Sequence, residues 1–154
     1  MSIRFVPVKS ATAAALRIGP DAYGLPPEMA GPSDGSDTPC RHCLSQVPAG
    51  RPLVIVAHRP FGGLSPYTET GPIFLCAEDC PAGGPDFSAA MLTSASYILR
   101  GYDQDERIIY GTGSVVPTPE IPARCAALFA RAEIAFIHVR SASNNCFHVR
   151  VERA

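Results

Sequence analysis

Residues 134–153 read IAFIHVRSASNNCFHVRVER, and the alternation of apolar and polar side chains in this stretch decides the fold. Successive side chains of a β-strand point to opposite faces of a sheet, so 134–140 and 147–153 are predicted strands. We expect them to pair as an antiparallel hairpin with Val139 opposite Phe147. This register gathers the aliphatic side chains on the core side, whereas a one-residue shift would mix valines with histidine and arginine.

The second face of this hairpin is predicted to carry His138, Arg140, His148 and Arg150, with Glu152 near their edge. One interpretation is a solvated strand face whose ion pairs each contribute little to stability. The other is a surface that binds an anion or a carboxylate, because the planar guanidinium group matches such groups and histidine titrates near neutral pH. On this second interpretation the candidate ligand-binding residues are Arg41, Tyr67, His138, Arg140 and Cys146.

Working outward from the hairpin, the clearest further strand is PLVIVAH at 52–58, whose continuous apolar run is typical of a strand buried on both faces. Short strands are also predicted at 3–8 and 73–76. Segments 96–102 and 107–116 flank the polar tip DQDE and are predicted to form another hairpin.

The best helix is predicted at 119–132, because apolar residues recur there at three- and four-residue spacing, with a shorter helix at 10–19. Segments 20–39 and 59–72 are rich in proline and glycine and are predicted to be long loops. The sequence therefore predicts an α+β fold in a single domain, residues 1–154. Its expected architecture is a mostly antiparallel sheet of about six strands with one main helix packed on one face.

The charge balance argues against two classes of partner. The chain of 154 residues carries 13 basic and 14 acidic side chains, a net charge of −1, so no basic excess indicates binding to nucleic acid or to an anionic membrane. Residues 1–19 do not resemble a signal peptide, and no apolar run approaches the roughly 18–20 residues of a membrane helix. The sequence predicts a cytoplasmic protein, in which the six cysteines are thiols or metal ligands.

Two cysteine pairs form a candidate metal site. Cys40 and Cys43 are separated by two residues, and Cys76 and Cys80 by three, a pattern that indicates a four-thiolate zinc site. His42 or His58 could replace one of the sulfurs. The alternatives are that the cysteines are packed in the core as small apolar residues, as expected for Cys125, or that the first pair has redox chemistry.

Cys146 raises the hypothesis of a thiol-dependent enzyme. It follows two asparagines and is predicted to lie across the hairpin from His138, so the chain contains the residue types of a cysteine nucleophile and its base. Cys40 with a histidine is the other candidate pair. No phosphate loop, dinucleotide-binding motif or metalloprotease motif is present. A structural or interaction protein with inert thiols is the remaining alternative.

Four segments resemble a bacterial family, the domain of unknown function numbered 1203. They are CRHCL, RPFGGLSPYTETGPIF, RGYDQDERIIYGTGSVVP and FIHVRSASNNCFHVRVERA, and the resemblance runs from about residue 38 to the C-terminus. It implies one small domain without an assigned activity. The recurrent residues that it points to are Cys40, Arg41, Ser65, Pro66, Tyr67, His138 and Cys146. It also implies that the second cysteine pair is not required in every member and that histidine can occupy position 76.

Together these observations predict a domain that binds a small anionic ligand or a partner and is stabilised by zinc. The prediction depends on one spatial expectation, namely that the segments around Cys40, Tyr67 and His138 converge beside the sheet.

Overall fold

The computed structural model describes residues 2–154, which form two β-sheets and two α-helices. In chain order the elements are β1 (Ile3–Val6), α1 (Ser10–Ile18), β2 (Glu28–Ala30), β3 (Pro39–Cys40), β4 (Ser45–Gln46), β5 (Leu53–His58), β6 (Gly71–Cys76), β7 (Ser96–Tyr102), β8 (Ser114–Pro117), a 3₁₀ turn (Thr118–Glu120), α2 (Ile121–Leu128), β9 (Phe136–Ser141) and β10 (Phe147–Arg153). The α+β class is confirmed.

The strands divide into two sheets of five, so the prediction of one six-stranded sheet is wrong. The first sheet has the order β1-β10-β9-β7-β8 and is antiparallel throughout. The second has the order β2-β5-β6-β3-β4, in which β3 and β6 pair in parallel. Three strands of the second sheet, β2, β3 and β4, were not predicted. They are only two or three residues long and lie among turn-forming residues, so they have no clear strand pattern.

The prediction of one main helix is also inexact. The helix predicted at 119–132 is reduced to the 3₁₀ turn and α2, and α1 is a second helix of similar length. The predicted apolar face of α2 is nevertheless confirmed, because Ile121, Cys125 and Phe129 are buried. They pack with Leu99, Val139 and other aliphatic residues of the first sheet. Cys125 is therefore a core residue, as expected.

The register of the C-terminal hairpin differs from the prediction. Val149, not Phe147, lies opposite Val139, because a β-bulge at Phe147–Val149 adds one residue to β10. Val149 still points to the core that contains α2. The bulge sends Phe147 to the other face, where its ring centre lies 4.8 Å from that of His138, and turns His148 towards the ring of Tyr97.

The face of the hairpin that carries His138 and Arg140 is covered, not solvated. Both side chains are buried, and Phe147 on the same face packs into the core of the second sheet together with Cys40 and Leu75. Strand β10 contacts β6 across this interface. The polar residues of the first sheet thus lie between the two sheets, where charge interactions are stronger than on an open surface.

Both helices within residues 2–154 are too short and insufficiently apolar to cross a bilayer.

Candidate metal centre and anion cleft

The parallel pairing of β3 with β6 brings the two cysteine pairs together. Cys40 lies beside Phe74 in this pairing, so Cys76 at the end of β6 is its neighbour. The sulfur atoms of Cys40, Cys43, Cys76 and Cys80 all lie within 4.8 Å of one another. The Cys40 and Cys80 sulfurs are 3.9 Å apart. Four sulfurs placed tetrahedrally at the zinc–sulfur bond length would be separated by about 3.8 Å.

A tight turn between β3 and β4 positions the first pair. The backbone N–H of Leu44 donates to the carbonyl of Cys40 at 3.0 Å, and Leu44 has a φ of +56°. This left-handed conformation is the one for which glycine is usually selected. Leu44 tolerates it here because its side chain is buried in the core of the first sheet. The glycine usual after a zinc-binding cysteine pair is therefore replaced by a leucine held in place by packing.

Donor groups surround the sulfur atoms. The guanidinium group of Arg17 donates to Cys80 Sγ at 3.2 Å and to the carbonyl of Cys76 at 2.7 Å. The backbone N–H of Cys76 donates to Cys40 Sγ at 3.3 Å. His42 Nδ1 lies 3.2 Å from Cys80 Sγ, with its Nε2 at 2.9 Å from Ser10 Oγ. His42 thus lies within hydrogen-bond distance of a sulfur of the cluster.

The electrostatics of the cluster favour one thiolate and disfavour four. Hydrogen bonds from the Cys43 and Cys76 thiols lower the pKa of Cys40. The same contact with Cys40 raises the pKa of Cys43 and of Cys76, and burial raises the pKa of Cys80 to about 12. Four thiolates at this spacing need a cation between them. The donor set is thus chemically suited to a soft divalent ion, which would deprotonate the remaining thiols on binding.

A second cluster of charges joins the loop 59–72 to the first sheet. Glu69 accepts from Arg100 at 2.6 Å through one carboxylate oxygen and from Arg140 at 2.5 Å through the other. Arg140 also donates to the side chain and the carbonyl of Asn145, while its Nη1 is buried without a partner. Two cations therefore share one carboxylate in a largely buried environment.

Cys146 lies between two cavities that we call the anion cleft. One cavity, of about 430 Å³, is lined by Arg140 and His58, and the other, of about 360 Å³, by Arg41 and His148. Pro72, Asn144 and Cys146 line both. The tertiary structure thus brings together three of the predicted ligand-binding residues, Arg41, Arg140 and Cys146.

The other two candidates lie elsewhere. His138 is buried beside Phe147, outside the lining of the anion cleft. The Tyr67 hydroxyl is 2.8 Å from that of Tyr110, and the Arg107 guanidinium lies 4.8 Å from the Tyr67 ring centre. Cys40 and His138 both pack near Phe147, whereas the contacts of Tyr67 are with Tyr110 and Arg107.

Sequence reasoning missed Arg17 and Glu69. Arg17 is an ordinary basic residue in the last turn of a helix, and only the packing of α1 brings it to Cys80. From the sequence alone, Glu69 is expected to be a solvated residue of the loop 59–72. The one usable signal was Arg100, which alternates with Tyr102 on a strand and so had to lie on the same face as that buried ring.

The two histidines that line the anion cleft are held neutral. Burial, followed by the charge of Arg41, lowers the pKa of His58 to about 4 and that of His148 to about 3. In the unfolded chain both would take up a proton near pH 6.5, so the unfolded state binds more protons than the native state below that pH. Their contribution to stability is complete above pH 6.5 and is lost progressively as the pH falls towards about 4 for His58 and about 3 for His148.

We therefore expect the free energy of unfolding to drop between pH 7.5 and 5, by about 2 kcal/mol for each such histidine. Urea unfolding of the native protein and of a His148→Gln variant across this range checks the effect. The free energy of unfolding of the variant should fall less over this range, and the difference should be about the 2 kcal/mol expected from one histidine. Equal slopes for the two proteins would contradict the assignment.

The comparisons with known proteins concern the same part of the chain. The family described as "Protein of unknown function (DUF1203)" matches residues 37–153. The chain belongs to the DUF1203 family. No curated protein and no solved structure matches it. The match to DUF1203 includes all four clustered cysteines and the whole lining of the anion cleft, while β1, α1 and β2 precede it.

Proposed function

We propose that this chain binds a small anion of the carboxylate or phosphate class in the anion cleft, within a fold stabilised by a zinc ion on Cys40, Cys43, Cys76 and Cys80. The buried charge of Arg41 carries the anion part of the proposal. Its side chain is 3% exposed, and no ion pair among residues 2–154 includes it.

Arg41 has protein partners only for part of its guanidinium group. Its Nε donates to the carbonyl of Phe147 at 2.9 Å and its Nη1 to the carbonyl of Pro39 at 2.8 Å, whereas its Nη2 has no partner among residues 2–154. Burial lowers the pKa of Arg41 to about 10, which still leaves it charged at neutral pH. A buried cation without an anion is costly, so a bound anion that accepts from Nη2 would relieve this cost.

Arg140 supports the proposal from the other side of the cleft. Its Nη1 is buried without a partner, and Glu69 alone balances both Arg140 and Arg100. When Arg41 is included, three arginine side chains have only one carboxylate, that of Glu69, as a counter-ion. This excess of positive charge favours an anionic ligand, and the two cavities are of the size that a small metabolite occupies.

The zinc part of the proposal rests on the spacing of the sulfurs and on charge. Zinc with four thiolates carries a charge of −2, and Arg17, which donates to Cys80, supplies a positive charge beside it. All the ligands are protein groups, which is the pattern of a structural site in contrast to a catalytic one.

One observation favours a second candidate function, a thiol-dependent enzyme that uses Cys146. This cysteine is partly exposed and lines both cavities, one of them with Arg140 and the other with Arg41. His148 donates from Nδ1 to the carbonyl of Cys146 at 3.0 Å, which places an imidazole ring beside this cysteine. Rapid alkylation of Cys146 at neutral pH would favour this candidate over simple ligand binding.

The anion proposal is tested by thermal unfolding with inorganic phosphate and with succinate as probes. At least one of them is expected to raise the Tm in a saturable way, because a ligand of the native state stabilises it by mass action. Arg41→Lys should weaken that probe about tenfold or more, since lysine cannot reproduce the planar set of donors.

The matched control is Arg124→Lys, because Arg124 is an exposed arginine on α2 outside the cleft. This variant should retain the affinity of the native protein. If neither probe binds, or if both variants bind as the native protein does, the cleft does not recognise anions through Arg41.

A further inference from the structure

Cys146 is the one cysteine of residues 2–154 that lies neither in the metal cluster nor enclosed in a core. Cys125 is buried, and the other four cysteines form the cluster. Cys146 is partly exposed and lines both cavities of the anion cleft. Its sulfur lies 3.8 Å from the carbonyl of Asn144, in the exposed loop between β9 and β10. A small molecule that enters the cleft can therefore reach this thiol.

The guanidinium group of Arg41 is held beside Cys146 by the backbone of β10. Its Nε donates at 2.9 Å to the carbonyl of Phe147, the residue that follows Cys146 in the chain. Arg41 and Cys146 also line the same cavity, of about 360 Å³. Nη2 of Arg41 has no partner in the described part of the chain and, in contrast to Nη1 of Arg140, it is not fully enclosed. An unpaired donor of a buried cation and an accessible thiol thus line one cavity.

The other groups that line this cavity leave the charge of Arg41 without a fixed counter-ion. Asp37 is the one acidic residue among them, and it is exposed and forms no ion pair within residues 2–154. The rest of the lining consists of apolar side chains, hydroxyl groups, one amide, the Cys146 thiol and His148, which burial keeps neutral. The cavity therefore favours a molecule that carries a negative charge beside a group able to react with sulfur.

We propose that Cys146 undergoes reversible thiol–disulfide exchange with small anionic thiols, whose carboxylate is held by Arg41. This inference rests on the proposed anion function and names the class of molecule that the cleft takes. A planar guanidinium group is well suited to hold a carboxylate, and the partner loop of Cys146 leaves the sulfur accessible.

The exchange has a simple balance of atoms and electrons. Cys146 loses its proton to solvent, and its thiolate attacks one sulfur of the disulfide form of the anionic thiol. The S–S bond of that molecule breaks, a new S–S bond forms with Cys146, and the departing thiolate takes up a proton from solvent. The Cys146 sulfur is oxidised and the departing sulfur is reduced. An excess of the same small thiol reverses the step.

The mixed disulfide places its carboxylate on Arg41 and its body in the cleft. A free anion can then no longer bind to the same guanidinium group. The redox state of the surrounding small thiols would thus control whether the cleft is open to other anions.

The test uses the native protein and three small disulfides that differ in charge, namely dithiodipropionate, which is anionic, hydroxyethyl disulfide, which is neutral, and cystamine, which is cationic. Peptide mass spectrometry after an acid quench measures the rate of modification of Cys146. Each rate is divided by the rate of the same reagent with N-acetylcysteine amide, which removes differences in intrinsic reactivity. The anionic reagent should then be about tenfold faster than the other two, since a hydrogen bond between charged groups contributes about this much.

Two further measurements connect this preference to Arg41. The anion that raises the Tm, phosphate or succinate, should slow modification by dithiodipropionate, because both need the same guanidinium group. In Arg41→Gln the preference for the anionic reagent should disappear, whereas the matched control Arg124→Gln, on the exposed side of α2, should keep it. The charge series and the competition on the native protein remain decisive if Arg41→Gln does not fold.

The proposal is overturned if Cys146 stays unmodified, if the three reagents react at equal normalised rates, or if cystamine is fastest. Its failure can be distinguished from failure of the anion site. If phosphate or succinate raises the Tm but the charge preference is missing, the anion site is retained and only the exchange is wrong. If neither anion binds and the preference is also missing, both are wrong.

Discussion

Replacing Cys40 with serine is expected to abolish the binding of one zinc ion per chain and to lower the free energy of unfolding by at least about 5 kcal/mol. The reason is that the site joins segments far apart in the sequence. Cys40 and Cys43 lie on the β3–β4 turn, and Cys76 and Cys80 lie on β6 and the loop after it. A structural zinc ion contributes about 10 kcal/mol or more in small domains, which is comparable to the whole stability of an ordinary domain.

Metal analysis of the purified protein and urea unfolding with and without a chelator check this prediction. The native protein should contain close to one equivalent of zinc and lose stability on chelation. Cobalt substitution should give the visible absorption of a tetrahedral thiolate site.

Cys125→Ala is the matched control, since Cys125 is buried in the other core, away from the cluster. It should keep its zinc and lose only about 1–2 kcal/mol of stability. A native protein that is purified without chelators, contains no metal and gains no stability from added zinc would show that the four thiols are only packed together.

Replacing Glu69 with glutamine is expected to be the second most damaging change, with a loss of about 3 kcal/mol. Glutamine keeps the shape of the side chain and removes its charge. Arg140, whose side chain is 6% exposed, and Arg100, at 17%, would then be close like charges without a counter-ion. Removing one member of a buried charge cluster costs about 3–5 kcal/mol, and the 33% exposure of Glu69 places the expectation at the lower end.

The control for this variant is Glu133→Gln, which removes a carboxylate from the exposed pair with Arg131. Because such surface pairs contribute little, its expected cost is below about 0.5 kcal/mol. Urea unfolding measures both variants. If Glu69→Gln costs no more than Glu133→Gln, the charges of Arg100 and Arg140 are already satisfied by other groups or by solvent.

The sequence by itself determined the parts of this protein that depend on local pattern. The aliphatic face of α2, the strands β5, β9 and β10, and the α+β class all follow from the spacing of apolar residues, which reports burial directly. The four cysteines were also identifiable, because two short gaps constrain which sulfurs can meet at one ion.

What only the tertiary structure decided is which polar groups share an environment. The bulge at Phe147–Val149 exchanges the faces of the sheet on which Phe147 and His148 were expected. No pattern of residues predicts a single extra residue in a strand. The second sheet then covers the face that carries Arg140, and Glu69 reaches it from a loop. Burial and counter-ions, which determine what a charged side chain can do, depend on contacts between segments distant in the chain and cannot be derived from local pattern.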